Sequence, residues 1–254
     1  MNNKTHFRIP VDNNSSVHSM LWKSKSEHPK ATIIFSHGFS VAGFESRRMF
    51  LEIGSLLTEQ GYSVLLFDYR GSGYSDFDFS EMTSDTEIED LNRVLDFCKT
   101  NNLIQGKLIL WGQSSGAGVA SIVATERKEI SGLILWCLSA DWYTRYRERL
   151  GSDLIKNGFI YTDKGFKVDV KFLESLKNKN IISNYHQVDC PILFVHGDAD
   201  PVASVNLSLD GFKNANEPKT IEIIKGGIHG FKNQIPLYQE ALKKTFDWLK
   251  NCTE

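Results

Sequence analysis

Short runs of apolar, largely β-branched residues recur along the chain and alternate with longer amphipathic stretches. The runs are Thr32–Ser36, Ser63–Asp68, Lys107–Trp111, Gly132–Cys137, Ile192–His196 and Thr220–Ile224. Their unbroken apolar character predicts strands buried on both faces, and the alternation predicts βαβ units in a mostly parallel sheet. Ahead of them, Phe7–Pro10 and His18–Trp22 flank the turn-forming Asp12-Asn13-Asn14-Ser15. That arrangement predicts an antiparallel hairpin at the first edge of the sheet.

The stretches between strands carry helical signals. Ser84-Asp85-Thr86-Glu87 has the form of a capping box, and Ile88, Leu91, Val94, Leu95 and Cys98 follow at helical spacing. Tyr238, Ala241, Leu242, Phe246 and Leu249 repeat the pattern near the C-terminus. Both stripes read as core-facing and carry no chemistry. Between Ser139 and Val188 the rhythm breaks: the gap is too long for one crossover helix and is rich in charge and in aromatics such as Trp142, Tyr146, Phe166 and Phe172. It reads as a cap inserted at 140–187 over one end of the sheet, within a single domain spanning 1–254.

Length and charge narrow the class. A chain of 254 residues suits one large α/β domain. A formal net charge of −2, with no basic cluster, argues against a nucleic-acid partner. The N-terminal MNNKTHFRIPVDNNSS lacks the apolar core of a secretory signal, and no window nears the ~18 apolar residues of a membrane span. A cytoplasmic protein without a membrane span is expected. Cys98, Cys137, Cys190 and Cys252 are scattered without metal-type spacing and read as reduced and structural.

The candidate chemistry begins in Leu108–Ala120, LILWGQSSGAGVA. Gly112-Gln113-Ser114-Ser115-Gly116 is G-x-S-x-G framed on Ser114, directly after a predicted strand and before a helix-compatible segment. Framing on Ser115 fails, because Gln113 takes the first glycine position. A nucleophile on such a turn needs a strained backbone, and the glycines are expected where chain segments pass too close for a side chain. A serine also needs a base. Of the seven histidines, His229 in Gly226-Gly227-Ile228-His229-Gly230 lies in a loop after the last strand and is the best placed. His37 and His196 each follow a strand and precede glycine, where a ring can brace a loop. For an orienting acid, His196-Gly197-Asp198-Ala199-Asp200-Pro201 offers two carboxylates beyond a strand end. His196, Asp198 and Asp200 also permit a metal cluster, since alternate positions of an extended segment share a face.

These motifs, with HGFSVAG at 37–43 and FDYRGSGYSD at 67–76, give a chain that resembles the α/β-hydrolase superfamily. Within it the chain is similar to small bacterial esterases that include the cinnamoyl and feruloyl esterases. The resemblance implies a mostly parallel eight-stranded sheet flanked by helices, with an inserted cap. It implies Ser114 as nucleophile, His229 as base and Asp200 as acid, leaving Asp198 as a turn-stabilising residue. It also implies an oxyanion hole from the backbone N–H groups of Phe39 and Ser115. Ala117 stands where many relatives have a further glycine, and its small size is expected to preserve the turn.

The implied activity is ester cleavage through an acyl-enzyme, without cofactor or metal. The expected partner is a small-molecule ester, and a homo-oligomer is compatible with the sequence. Two other classes remain open. An amide hydrolase, peptidase or thioesterase would use the same residues, and a non-catalytic small-molecule binding protein could use the same fold.

Overall fold

Each apolar run named above forms a strand, and together with the N-terminal hairpin they build one eight-stranded sheet. The computed structural model describes residues 3–231 and 233–254. In chain order the strands are β1 (Lys4–Pro10), β2 (Ser16–Trp22), β3 (Ala31–Ser36), β4 (Tyr62–Phe67), β5 (Lys107–Gln113) and β6 (Gly132–Trp136). A small separate hairpin supplies β7 (Phe159–Tyr161) and β8 (Lys167–Asp169), and β9 (Ile192–Gly197) and β10 (Lys219–Ile224) complete the sheet. The order across it is β1-β2-β4-β3-β5-β6-β9-β10. Strands β1 and β2 run antiparallel to their neighbours, and the rest are parallel.

Helices α1 (Met49–Glu59), α2 (Ser84–Thr100), α3 (Ser115–Glu126), α4 (Trp142–Asn157), α5 (Val170–Ser175), α6 (Val205–Asn214) and α7 (Ile235–Thr253) surround the sheet. The period of two along a strand divides its side chains between two apolar layers. Ile33, Phe35, Ile109 and Trp111 pack under α1 and α7, whereas Ile34, Leu108 and Leu110 pack under α2 and α3. Strands β3, β4, β6 and β9 are buried at every position. The expectation of full burial fails for β10, where only Ile224 is buried. As an edge strand it has a neighbour on one side alone.

The cap of α2 also differs from the sequence reading. Thr83, not Ser84, is the N-cap: its hydroxyl accepts from the Thr86 N–H at 3.1 Å, and the Thr86 hydroxyl accepts from the Thr83 N–H at 2.8 Å. Ser84 is thereby free to tie α2 to α5, its N–H and hydroxyl both bonding Ser175. Among the described residues no helix is long and apolar enough to cross a membrane.

The segment between β6 and β9 folds as α4, the β7–β8 hairpin, α5 and a 3₁₀ turn at Ile182–Gln187. Most of its aromatics pack against the α/β body. Tyr146 and Phe172 lie 5.0 and 5.1 Å from the Phe39 ring, and Phe166 lies 4.5 Å from Phe79. Trp142 covers Gly118 of α3, where an added Cβ would sit 2.3 Å from the indole and 2.7 Å from the Ser139 carbonyl oxygen. Gly118→Ala is therefore expected to destabilise the fold by about 1–3 kcal/mol, through displacement of a packed ring and a backbone carbonyl. Urea unfolding measures this, and an unchanged midpoint would contradict the packing described.

Candidate active site

Strand β5 ends at Gln113 and α3 starts at Ser115, so Ser114 alone makes the turn. It does so at φ 57°, ψ −120°, a conformation that L-residues rarely adopt. The strain is held by the surroundings. The Ser114 N–H donates to the Trp136 carbonyl at 2.9 Å, and the Ser139 N–H donates to the Ser114 carbonyl at 3.2 Å. A Cβ on Gly112 would meet Ala117 Cα at 2.4 Å, and one on Gly116 would meet the Ser36 and His37 carbonyl oxygens at 2.2 and 2.3 Å. Gly116 thus lets α3 lie directly on the end of β3. Ala117 is fully buried at this approach and leaves the turn intact.

The three residues expected from separate loops are brought together. His229 Nε2 lies 3.0 Å from Ser114 Oγ, and His229 Nδ1 lies 2.7 Å from Asp200 Oδ2. Because a carboxylate only accepts, Nδ1 carries the proton, and Nε2 is left to accept from the serine hydroxyl. The Asp200 side chain is fully buried. Its Oδ1 accepts the Val202 and Ala203 N–H groups at 2.7 and 3.0 Å, and His196 Nε2 approaches Oδ2 at 3.3 Å. Burial alone would raise its pKa. Hydrogen bonds from His196 and His229, the His229 charge and the Ala203 N–H outweigh that and hold the carboxyl well below the usual Asp range.

Asp198 has a different task. Its Oδ1 accepts the Gly226 N–H at 2.6 Å, so it braces the loop that carries His229 rather than its own turn. The two loops also touch directly, since a Cβ on Gly197 would lie 2.0 Å from the Gly227 carbonyl oxygen. His196, Asp198 and Asp200 therefore do not converge as a metal cluster. Asp198 is turned to Gly226, and His196 bridges the Ser208 hydroxyl at 2.7 Å and the Ala203 carbonyl at 3.0 Å. His37 braces the opposite loop, accepting the Tyr69 N–H at 3.1 Å and donating to the Gly38 carbonyl at 2.9 Å. Burial lowers its pKa.

Two residues that the sequence does not connect with the site are neighbours of it. Cys137, just past β6 at φ 49°, places its sulfur to accept the Gly230 N–H at 3.3 Å. Donor atoms of Cys137, Asp200 and His229 all lie within 4.8 Å of one another, the one such group of three among the described residues. Burial and then the Asp200 charge push the thiol up to about 12, so it stays protonated. The other neighbour is Glu45, buried and at φ 59°. Its carboxylate accepts the Gly38 N–H at 2.6 Å and the Ser46 N–H at 2.9 Å, which fixes the segment containing Phe39. Among the described residues the N–H groups of Phe39 and Ser115 have no protein acceptor. A cavity of about 240 Å³ joins Ser114 and His229 to Phe39, Glu45 and Tyr146.

Residues 27–159, more than half of the chain, match the family described as Hydrolase_4, serine aminopeptidase, S33. The chain belongs to that family. It is an α/β-hydrolase in fold, and solved structures of this fold superpose over almost its whole length. Est1E from Butyrivibrio proteoclasticus, with ferulic acid bound, gives a TM-score of 0.82 at 22% identity, covering 94% of this chain and 97% of that one. Alpha/beta hydrolase domain-containing protein 10 from mouse gives 0.79 at 20% identity, covering 98% and 100%. By sequence the chain is similar to the uncharacterized protein YfhR of Escherichia coli (strain K12), 32% identical over 202 residues. The match covers 78% of this chain and 63% of YfhR. Lysophosphatidylserine lipase ABHD12 of Rattus norvegicus is 30% identical over 188 residues, which cover 72% of this chain and 44% of the lipase. The chain spans less than two thirds of the length of either relative.

The carboxyl of Asp200 gives a pH prediction. Its folded pKa lies below the unfolded value, so its stabilisation is full above about pH 5 and is lost as the pH falls through the folded value. Asp200→Asn is expected to lower stability at neutral pH and to flatten its decline between about pH 5 and pH 3. Urea midpoints of both proteins at the two pH values test this; an equally steep decline in the variant would contradict it.

Proposed function

We propose that this hydrolase cleaves carboxylic esters through an acyl-enzyme, with Ser114 as nucleophile, His229 as base and Asp200 as the acid that orients it. The observation that carries the reading is the continuous hydrogen-bonded chain from Ser114 Oγ through His229 to the buried Asp200 carboxylate. In the first half-reaction His229 Nε2 takes the serine proton as Oγ attacks the ester carbonyl. Negative charge then develops on the carbonyl oxygen. The acceptor-free N–H groups of Phe39 and Ser115 serve as the donors for it. His229 passes its proton to the departing alcohol. In the second half-reaction it activates a water that releases the acid and restores Ser114.

Asp200 stabilises the imidazolium formed in each half and keeps the proton on Nδ1. The insertion at 140–187 serves as a cap, since Tyr146 and Arg149 of α4 line the cavity that holds Ser114. The rat relative, named as a lipase, and the ferulic acid bound to Est1E support ester bonds as the target class. The family description, an aminopeptidase, makes amides the comparison to measure.

Ser114→Ala is expected to abolish labelling by a fluorophosphonate probe and to cut ester turnover by ~10⁴-fold or more. Ser115→Ala should retain appreciable activity, because residue 115 contributes its backbone N–H. Equal loss in both variants would overturn the assignment. For the acid, Asp200→Asn should reduce kcat by roughly 10⁴-fold with the fold intact, since an amide neither holds the tautomer nor stabilises the imidazolium. Asp198→Asn should cost far less in kcat and act mainly on thermal stability. Rates on matched aryl esters and anilides decide between ester and amide cleavage.

A further inference from the structure

Three cations face the cavity above Ser114. Arg145 and Arg149 lie four residues apart on α4, hence on one side of the helix, and Lys164 comes from the turn between β7 and β8. Among the described residues none of the three pairs with a carboxylate. Arg145 donates to the Ser139 hydroxyl and lies over the Tyr146 ring, 5.2 Å from its centroid. Lys164 donates to the Ser40 carbonyl at 3.1 Å. Among the described residues the Arg149 side chain has no hydrogen-bond partner. Arg145 is half-buried and Arg149 exposed at the cavity mouth, and neither is neutralised in place as Arg70 is by Asp90 and Glu89 or Arg127 by Asp96 and Glu129.

Two carboxylates share the cavity. Glu45 is buried with its oxygens already committed to the Gly38 and Ser46 N–H groups. Asp163 borders the same cavity but pairs with none of the three cations. Like charges at positions four apart on a helix repel, a cost that an anion between them removes. A guanidinium without a partner, at the mouth of a site, offers a planar fork that fits a carboxylate or phosphate.

We infer that the substrate is an ester bearing an anionic group, carboxylate or phosphate, held by Arg149 with Arg145 and Lys164 at the cap side of the cavity. This rests on the reading of Ser114 as the nucleophile and names the substrate class of that same site. The anion can sit on the acyl or on the alcohol portion, and paired probes separate these. 4-Nitrophenyl adipate monoester against 4-nitrophenyl hexanoate places the charge on the acyl side. 4-(Carboxymethyl)phenyl acetate against 4-methylphenyl acetate places it on the alcohol side.

Calorimetric titration of Ser114→Ala with all four esters reads affinity without turnover. The anionic member of one pair is expected to bind ~10-fold more tightly, and Arg149→Gln in the same background should erase that preference, as loss of a charge-assisted bond does. Arg149→Lys should keep part of it, and salt should weaken it. With Ser114 present, the same preference should appear in KM rather than kcat. Equal affinity for charged and neutral members of both pairs, or a preference that survives Arg149→Gln, overturns the anion site. Full activity of Ser114→Ala overturns the catalytic reading instead, and leaves the affinity measurement to judge the anion site on its own.

Discussion

The backbone of α3 rests on the backbone of β3 with no side chain between them, and the site is built on that contact. It exists because Gly116 lies where a Cβ would be 2.2 Å from the Ser36 carbonyl oxygen. The Ser36 hydroxyl secures the contact by donating to the Gly116 carbonyl at 2.7 Å, with the Tyr69 hydroxyl on its other side at 2.7 Å. Ser114 is caught between β5 and this anchored helix, which is why it holds φ 57°. The same contact sets the distance from Ser114 to the segment after β3. Phe39 therefore stands at the cavity wall, held there by His37 and Glu45.

The other half of the site is assembled by sheet order. β3, β5, β6 and β9 are consecutive and parallel, so the segments leaving them collect at the C-terminal end of the strands. Ser114 leaves β5, Cys137 leaves β6, and Asp200 follows β9. His229 arrives from beyond β10, and its loop is fixed by three separate contacts. These are the Gly197–Gly227 approach, the Asp198 bond to Gly226 and the Cys137 bond to Gly230. The imidazole is placed by backbone contacts on either side of it, which leaves its own nitrogens for Asp200 and Ser114.

Much of this was legible in the sequence because the signals were local. A buried strand shows as an apolar run whatever surrounds it, and Gly112 and Gly116 single out Ser114 over Ser115 from the sequence alone. The resemblance, not the local pattern, favours Asp200 over Asp198, and the hydrogen bonds place the two carboxylates in distinct surroundings. Features set by distant partners were not legible. The sequence points to Ser84 as the cap of α2, whereas Thr83 takes that place and Ser84 bonds Ser175 of α5. The exposure of β10 depends on its place at the edge, not on its composition. Glu45 reads as an ordinary surface acid until Gly38 is seen against it, and Cys137 as a core thiol until β6 is seen beside β5.

That thiol has a practical consequence for inhibition. At about 12 its pKa keeps it from acting as a nucleophile at neutral pH, and alkylating reagents that need a thiolate find little to attack. A soft metal ion differs, because it displaces the thiol proton as it binds. Here it would meet Cys137, Asp200 and His229 together within 4.8 Å. Coordination would draw the imidazole away from Ser114 and silence the serine. Poisoning by mercury or excess zinc would therefore report a sequestered histidine, and would be mistaken for a cysteine mechanism if the nearness of Cys137 to His229 were overlooked.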